Sequence, residues 1–288
     1  MDYANSDGIV STEWLETHLY APDVRVVDAS FWQPSMQRDA KSEYADCHLP
    51  NAMYFDIDII ADANSGLPHM LPTPKNFAAM VGKMGLGDGQ RIIAYDGVGG
   101  GSAAARVWWM FRAFGHRDVA VLEGGLPKWL REQRPVDDRV VIPTSHVFTP
   151  RFDPSLIRRL DEVAEDMKTH REQILDGRKA ISFQATASDY QEGRHGHIPG
   201  SLNLPVAELV DSRELTILPP DKLKQRFVAA GIDFDRPVVA TCGEGITCCL
   251  LTLALYLLGK TDVANYDGSW TEWAAHAELP VERGEVKF

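Results

Sequence analysis

One stretch of this 288-residue chain sets a nucleophile where its surroundings would activate it: VVATCGEGITCCLLTLALYLLG, residues 238–259. The β-branched run at 237–241 reads as a buried strand, 242–245 as a tight glycine-bearing loop, and 246–258 as a buried helix. Cys242 thus falls just past the carboxyl end of a strand, where ligands bind in open α/β sheets. Gly243 and Gly245 free the backbone to curl. A curled loop entering a helix aims several N–H groups at one point, and the helix dipole adds positive potential there. A thiol so placed loses its proton readily, since thiolates at helix N-termini titrate at roughly 3.5 to 7.5 instead of about 8.5. The chemistry to expect is nucleophilic, and the same N–H groups would stabilise an anion carried on the sulfur, such as a persulfide.

The elements that must position this loop occur twice. RIIAYDGVGG (91–100) matches RPVVATCGEG (236–245), and HRDVAVLEGGLPKW (116–129) matches KTDVANYDGSWTEW (260–273) without a gap. Upstream, VRVVDAS (24–30) pairs with EQILDGR (172–178), and HLPNAMYFDI (48–57) with HIPGSLNLPV (197–206). Four matched segments in one order mean a duplicated domain. In each copy short β-branched runs (Val24–Asp28, Arg91–Tyr95 and Val119–Leu122 in the first) alternate with helical patterns, at 77–84 and 107–114, then at 222–230 and 246–258. That alternation predicts an α/β fold, two tandem domains each built on a mostly parallel sheet with helices on both faces. The expected division is a first domain over 1–132, a linker over 133–154 and a second domain over 155–288. The linker has four prolines and no steady period, while Val140, Val141, Ile142 and Phe148 suggest that it packs across both domains. Where the second copy has Cys242 the first has Asp96, so only the second loop can carry the reaction.

Composition narrows the partners. A net charge of -12 argues against a nucleic-acid or anionic-membrane surface, and no apolar run is long enough to span a bilayer. The first ten residues lack a basic and an apolar region of the secretory kind, which makes the cytoplasm the expected location. Cys47, Cys242, Cys248 and Cys249 are too few for a disulfide scaffold and lack zinc-knuckle spacing; no metal or organic cofactor is expected. Cys248 and Cys249 read as core residues of a helix facing different directions. Asp28 and Asp176, each ending a strand, should fix loops by accepting backbone N–H bonds, with Arg178 an ion-pair partner. Trp108, Trp109, Phe111 and Phe114 read as helix packing, and Arg106 and Arg112 as side chains that cross to the linker or the other domain.

RVWWMFRAFGH (106–116), YFDIDIIADANSGLPHMLP (54–72), GHIPGSLNLP (196–205), TCGEGITC (241–248) and YDGSWTEW (266–273) together resemble the tandem-domain rhodanese family, most of all its mercaptopyruvate sulfurtransferase branch, over nearly the whole chain. The resemblance implies a double displacement: Cys242 takes a sulfane sulfur from a small donor, becomes a persulfide, and hands the sulfur to a thiol or cyanide, with a thioredoxin-like protein among the possible acceptors. It makes residues 242–247 the persulfide cradle, formed by Gly243, Glu244, Gly245, Ile246 and Thr247 beside the cysteine. The branch commonly has a serine where this chain has Glu244, and links it through a His and an Asp of the first domain into a proton relay; the matching positions are His69 and Asp58. Their structural alternatives are an interface hydrogen bond for His69 and a helix cap for Asp58.

The family's two substrate arginines fall on Ser182 and, allowing one gap, on Gln191, and the lysine of its thiosulfate branch falls on Glu244. Arg194 lies nearby, either compensating or solvated. Losing those cations predicts a donor less anionic than usual, or one with a cation of its own, because a buried anion needs charge-assisted hydrogen bonds worth roughly 1.5 to 3 kcal/mol each. A phosphatase loop of the same fold would end in arginine, whereas six residues after Cys242 comes Cys248. The alternative of a different class is a non-catalytic sulfur-binding or regulatory module with a decayed substrate pocket.

Overall fold

The structure is a computed structural model and describes residues 2–186 and 193–284. In the first half β1 (Ile9–Val10), β2 (Val24–Asp28), β3 (Met53–Tyr54), β4 (Arg91–Tyr95) and β5 (Val119–Leu122) form a parallel sheet in the order β1-β5-β4-β2-β3. In the second, β6 (Ile157–Arg158), β7 (Gln173–Asp176), β8 (Leu202–Asn203), β9 (Val238–Thr241) and β10 (Val263–Tyr266) repeat the permutation as β6-β10-β9-β7-β8. Duplication read from matched segments is thus duplication in space. The central strands read as continuous apolar runs because helices cover both faces of each sheet.

The helices of the first half are α1 (Thr12–His18), α2 (Ala40–Asp46), α3 (Pro74–Lys83), α4 (Ser102–Ala113) and α5 (Gly125–Arg131). Those of the second are α6 (Leu160–Thr169), α7 (Ala180–Gln184), α8 (Pro220–Ala229), α9 (Cys248–Leu257) and α10 (Ser269–Ala275). Three of the periodic stretches begin earlier than apolar spacing predicts: Pro74 and Pro220 open first turns without large apolar residues, and α4 opens on Ser102 and three buried alanines too small to mark a periodicity. The fourth begins later, at Cys248 and not at residue 246, because Ile246 and Thr247 remain in the loop.

Helices α4 and α9 are buried almost all round and lie between the two sheets. Apolar helices of this kind belong inside a core, and one cluster runs from Phe77, Trp108 and Phe111 through Leu250 and Leu253 without a break at the domain boundary. The amino-terminal residues cross as well: the Tyr3 hydroxyl donates to the Leu218 carbonyl at 2.9 Å, and the Ala4 amide to that of Leu257 at 2.9 Å. Arg112 lies over the Tyr256 ring at 4.2 Å, a crossing to the other domain.

Between α5 and the short turn at Pro154–Leu156 the chain forms neither helix nor strand. It follows the first half closely, with the His146 amide on the Gly82 carbonyl at 2.8 Å and the Asp88 amide on that of Val147 at 2.9 Å. Phe148 is buried against Phe77 and Phe111. Val140 and Ile142 are exposed, so the expectation that they pack across the domains is corrected, whereas Val141 is half-buried against the core; the segment docks through its backbone, Val141, Phe148 and the Thr149 hydroxyl, which donates to Asp88 at 2.6 Å.

Candidate active site

Cys242 follows β9 directly, level with the end of β7, where Asp176 pairs with Thr241. The loop it opens is pinned from outside through its carbonyl groups. The Trp270 amide donates to the Cys242 carbonyl at 3.0 Å, and the Thr271 amide and hydroxyl donate to that of Gly243 at 3.0 and 2.9 Å. The Gly245 carbonyl accepts from Arg106 Nη1 at 3.0 Å and from the Cys249 thiol at 3.4 Å. With the carbonyls drawn outward, amide N–H groups turn inward to the sulfur. Gly245 has φ of +78°, and a Cβ there would strike the Asp267 carbonyl, so this position requires glycine.

Burial would push the Cys242 thiol up, yet hydrogen bonds from the Cys248 and Thr247 side chains and from the Cys248 and Glu244 amides prevail and bring it down to about 6. The expected convergence of dipoles is therefore present, with donors that differ from the expectation in one respect. Cys248, read as plain core, lies against the nucleophile. Cys242 is also only 1% exposed, so its sulfur forms the floor of the loop and not an open mouth. Its amide donates to Ser269 Oγ at 3.2 Å, and that oxygen lies 3.9 Å from the sulfur. Ultraviolet titration of the thiolate should give a midpoint near pH 6 in the native enzyme and near the ordinary 9.0 on unfolding. A lowered acid pKa stabilises the fold fully above the unfolded value and loses that contribution as pH falls to about 6. A Cys242→Ser variant should lack this slope.

The first half supplies an internal comparison. There the Asp96 carboxylate occupies the cradle, accepting from the amides of Gly99 at 2.9 Å, Ala103 at 3.1 Å and Ala104 at 3.2 Å. The matching loop thus holds a carboxyl group in one copy, pushed up to about 6 by burial against its amide hydrogen bonds, and a thiol brought down to about 6 in the other. Leu215 of the second half closes over Gly99, its carbonyl accepting from the Gly100 amide at 2.9 Å.

Over the second loop the cover comes from the first half. His69, buried and at a φ of +58°, turns Nε2 to Glu244 Oε2 at 3.6 Å and Nδ1 to Asp58 Oδ1 at 3.0 Å. The second approach is out of line with the ring N–H, and Nδ1 lacks an aligned hydrogen bond. His69 holds the Glu244 carboxyl below its ordinary value. Asp58, His69 and Glu244 are therefore brought together as the family resemblance implied, with carboxylates at both ends of the imidazole.

Ser182 and Arg194 line a cavity of about 480 Å³ with Arg178, Trp270 and Thr271, next to the loop because Thr271 ties down Gly243. Both cations there are engaged. Arg178 clasps Asp176 at 2.6 Å and lies over the Trp270 ring at 4.5 Å, while Arg194 donates to the carbonyls of His276 and Leu279 at 2.6 Å each. Arg194 is thus neither freely solvated nor turned to the sulfur. The expected loop-fixing roles hold: Asp28 accepts from the Ser30 amide at 2.8 Å and Asp176 from that of Arg178 at 2.8 Å. Gln191 lies outside the described residues.

Sequence reasoning read Arg106 as a side chain that crosses to the linker or the other domain, and it does cross to the other domain; its partner Asp267 and its hold on the loop were missed. Arg106, fully buried in α4, donates to Asp267 Oδ1 at 2.5 Å, to the Gly245 carbonyl and to the His69 carbonyl, joining both halves at the site. Asp267 Oδ2 accepts from the Leu71 amide at 2.7 Å. The mark was present: a lone arginine in the apolar run AAARVWWMF, and the Asp and Ser of YDGSW.

A model of the rhodanese-like domain matches residues 11–132 and again 159–276. The thiosulfate/3-mercaptopyruvate sulfurtransferase 1 of Arabidopsis thaliana, a mitochondrial protein, is 41% identical over 98% of this chain and 80% of its own. The chain belongs to the rhodanese family. Human 3-mercaptopyruvate sulfurtransferase is 38% identical over 93% of this chain and 92% of its own. The crystal structure of the 3-mercaptopyruvate sulfotransferase SseA from Escherichia coli superposes with a TM-score of 0.84 at 35% identity, covering 91% of this rhodanese and 98% of SseA. Two parallel-sheet domains in tandem are the architecture common to this chain and that structure.

Proposed function

We propose that this rhodanese-family protein is a sulfurtransferase that moves a sulfane sulfur from a small thiol-type donor, through a persulfide on Cys242, to a thiol or cyanide acceptor. The observation that carries this reading is the Cys242 sulfur itself, brought down against burial to about 6 by the side chains of Cys248 and Thr247 and the amides of Cys248 and Glu244. The thiolate attacks the donor's sulfane sulfur, the electron pair of the broken bond stays with the donor, and an acceptor thiolate later takes the outer sulfur and returns Cys242 as thiolate. The amides that hold the resting anion would hold the persulfide anion equally. Glu244 and His69 stand where a proton could pass to the departing donor. A Cys242→Ser control in a donor screen tests the reading.

The donor is the chain-specific part. Ser182 contributes no charge, Arg194 is spent on carbonyls, and Glu244 places a carboxylate over the loop. This supports a donor less anionic than mercaptopyruvate or thiosulfate, or one that carries a cation. Glu244→Ser should then lower KM for 3-mercaptopyruvate by about tenfold, which is ~1.4 kcal/mol, and Ser182→Arg should lower it further. Steady-state rates at family-ordinary efficiency in the unaltered enzyme would refute the altered-donor reading.

A thioredoxin-like dithiol is a suitable acceptor in a reducing cytoplasm, the location consistent with four free cysteines. The 1% exposure of Cys242 favours a second reading, a sulfur-binding module without turnover. Persulfide loading with no transfer to any acceptor would select it.

A further inference from the structure

Asp58 does not do what the far end of a proton relay must do. It lies 3.0 Å from His69 Nδ1 but out of line with the ring N–H, so that buried nitrogen is left without a hydrogen bond. On the other side of the ring Glu244 Oε2 stands 3.6 Å from Nε2, beyond hydrogen-bond length. Both carboxylates open to solvent, Asp58 with 63% and Glu244 with 41% of its side chain exposed, while the imidazole between them is buried. Asp58 is fixed where it stands because Asp56 Oδ1 accepts from its amide at 3.1 Å.

Among the described residues neither carboxylate pairs with a lysine or an arginine. The cations of the neighbourhood are engaged elsewhere. Arg106 reaches His69 only at its carbonyl and pairs with Asp267, Arg178 clasps Asp176, and Arg194 donates to the carbonyls of His276 and Leu279. Two residues past Asp96 the first loop has Val98, so a carboxylate at this place occurs only in the loop that carries the sulfur. Two open carboxylates at the rim of a loop that gathers negative charge thus have no resident counter-ion. Such a rim repels an anionic donor and favours one that brings positive charge.

We infer that Asp58 and Glu244 are specificity-determining residues that bind a primary ammonium on the sulfur donor, selecting sulfane donors with an amine two carbons from sulfur. The inference rests on the persulfide reading above and names the donor class. An aminoalkyl thiosulfonate of this class is a net-neutral zwitterion, and its ammonium can make charge-assisted hydrogen bonds to both carboxylates. The Cys242 thiolate attacks the terminal sulfur of that donor. A bond forms between Cys242 Sγ and that sulfur, the donor's sulfur–sulfur bond breaks, and its electron pair leaves on the sulfinate. The product on Cys242 is the persulfide anion; charge balances, no proton moves, and no outside oxidant or reductant takes part.

The experiment compares 2-aminoethanethiosulfonate with propane-1-thiosulfonate, isosteric donors that differ by an ammonium in place of a methyl group. Loading of the full-length protein is followed without an acceptor, by intact mass (an adduct of ~32 Da) and by sulfinate release, and the second-order rates for the two donors are taken as a ratio. In the unaltered protein that ratio should favour the amine by at least about tenfold. Asp58→Asn and Glu244→Gln keep shape and remove charge; each should cut the ratio by about threefold or more, and the double variant should bring it near one. A carboxylate that only passed protons, or only held the fold, would slow both donors alike and leave the ratio unchanged. Equal rates for the two donors in the unaltered protein, a preference that survives in the double variant, or loading by 3-mercaptopyruvate but by neither thiosulfonate would overturn the inference and leave the sulfurtransferase reading standing. No adduct from any of the three donors would overturn both.

Discussion

Cys242→Ser is expected to abolish sulfur transfer, lowering turnover with every donor by a factor on the order of 10³ or more, as loss of a covalent nucleophile does. The fold should survive, because a hydroxyl fills nearly the same space and the loop carbonyls remain tied to Trp270, Thr271 and Arg106. The variant should gain no sulfur mass from any donor and should show no thiolate absorbance near neutral pH. Mass spectrometry after donor incubation checks the first point and thermal unfolding the fold. A variant that still took up sulfur would move the nucleophile to another cysteine. Cys248 would be the one to examine, given its contact with Cys242.

The second large effect is expected at Arg106. Its guanidinium is fully buried and touches Asp267, the Gly245 carbonyl of the cradle and the carbonyl of His69 at once. Arg106→Met would leave Asp267 without its cation in a dry interface, a loss of about 3 to 5 kcal/mol for removing one member of a buried pair. The melting temperature should fall by on the order of 10 °C for a protein of this size. Because the same side chain fixes the loop and the segment that carries the imidazole, the thiolate midpoint should move up from about 6 as the cradle loosens. Arg106→Lys retains charge but reaches fewer acceptors, so it should recover part of the stability and little of the thiolate shift. Calorimetry together with ultraviolet titration separates the two effects; an Arg106→Met enzyme that melts and titrates like the parent would show that the buried bridge is idle.

Much of this was legible in the residues. Strands at Val24–Asp28, Arg91–Tyr95 and Val119–Leu122 fall where their β-branched runs begin and end, because a buried parallel strand is an uninterrupted apolar segment with sharp borders. Cys242 was legible because a strand, two glycines and an apolar helix leave a thiol few structural reasons to be there. The crossing of Arg106 was legible as well but its partner Asp267 was not, since an ion pair between residues 161 positions apart depends on how two domains pack, which no local pattern encodes. The same holds for Arg194, whose nearness in sequence to the substrate positions says nothing about the carbonyls of His276 and Leu279 that bind it. Cys248 was read correctly as a core residue, though incompletely. Helical spacing marks it as core, and it is, but the loop it borders folds the nucleophile back onto it.

Each loop is roofed by the opposite half: Leu215 over Gly99, and His69 over Glu244. The copy that holds Asp96 is therefore no idle relic of an ancestral gene doubling. Severing the halves would leave the sulfur-handling unit without its imidazole and without its buried guanidinium, so the doubled gene can be inherited, trimmed or grafted only whole.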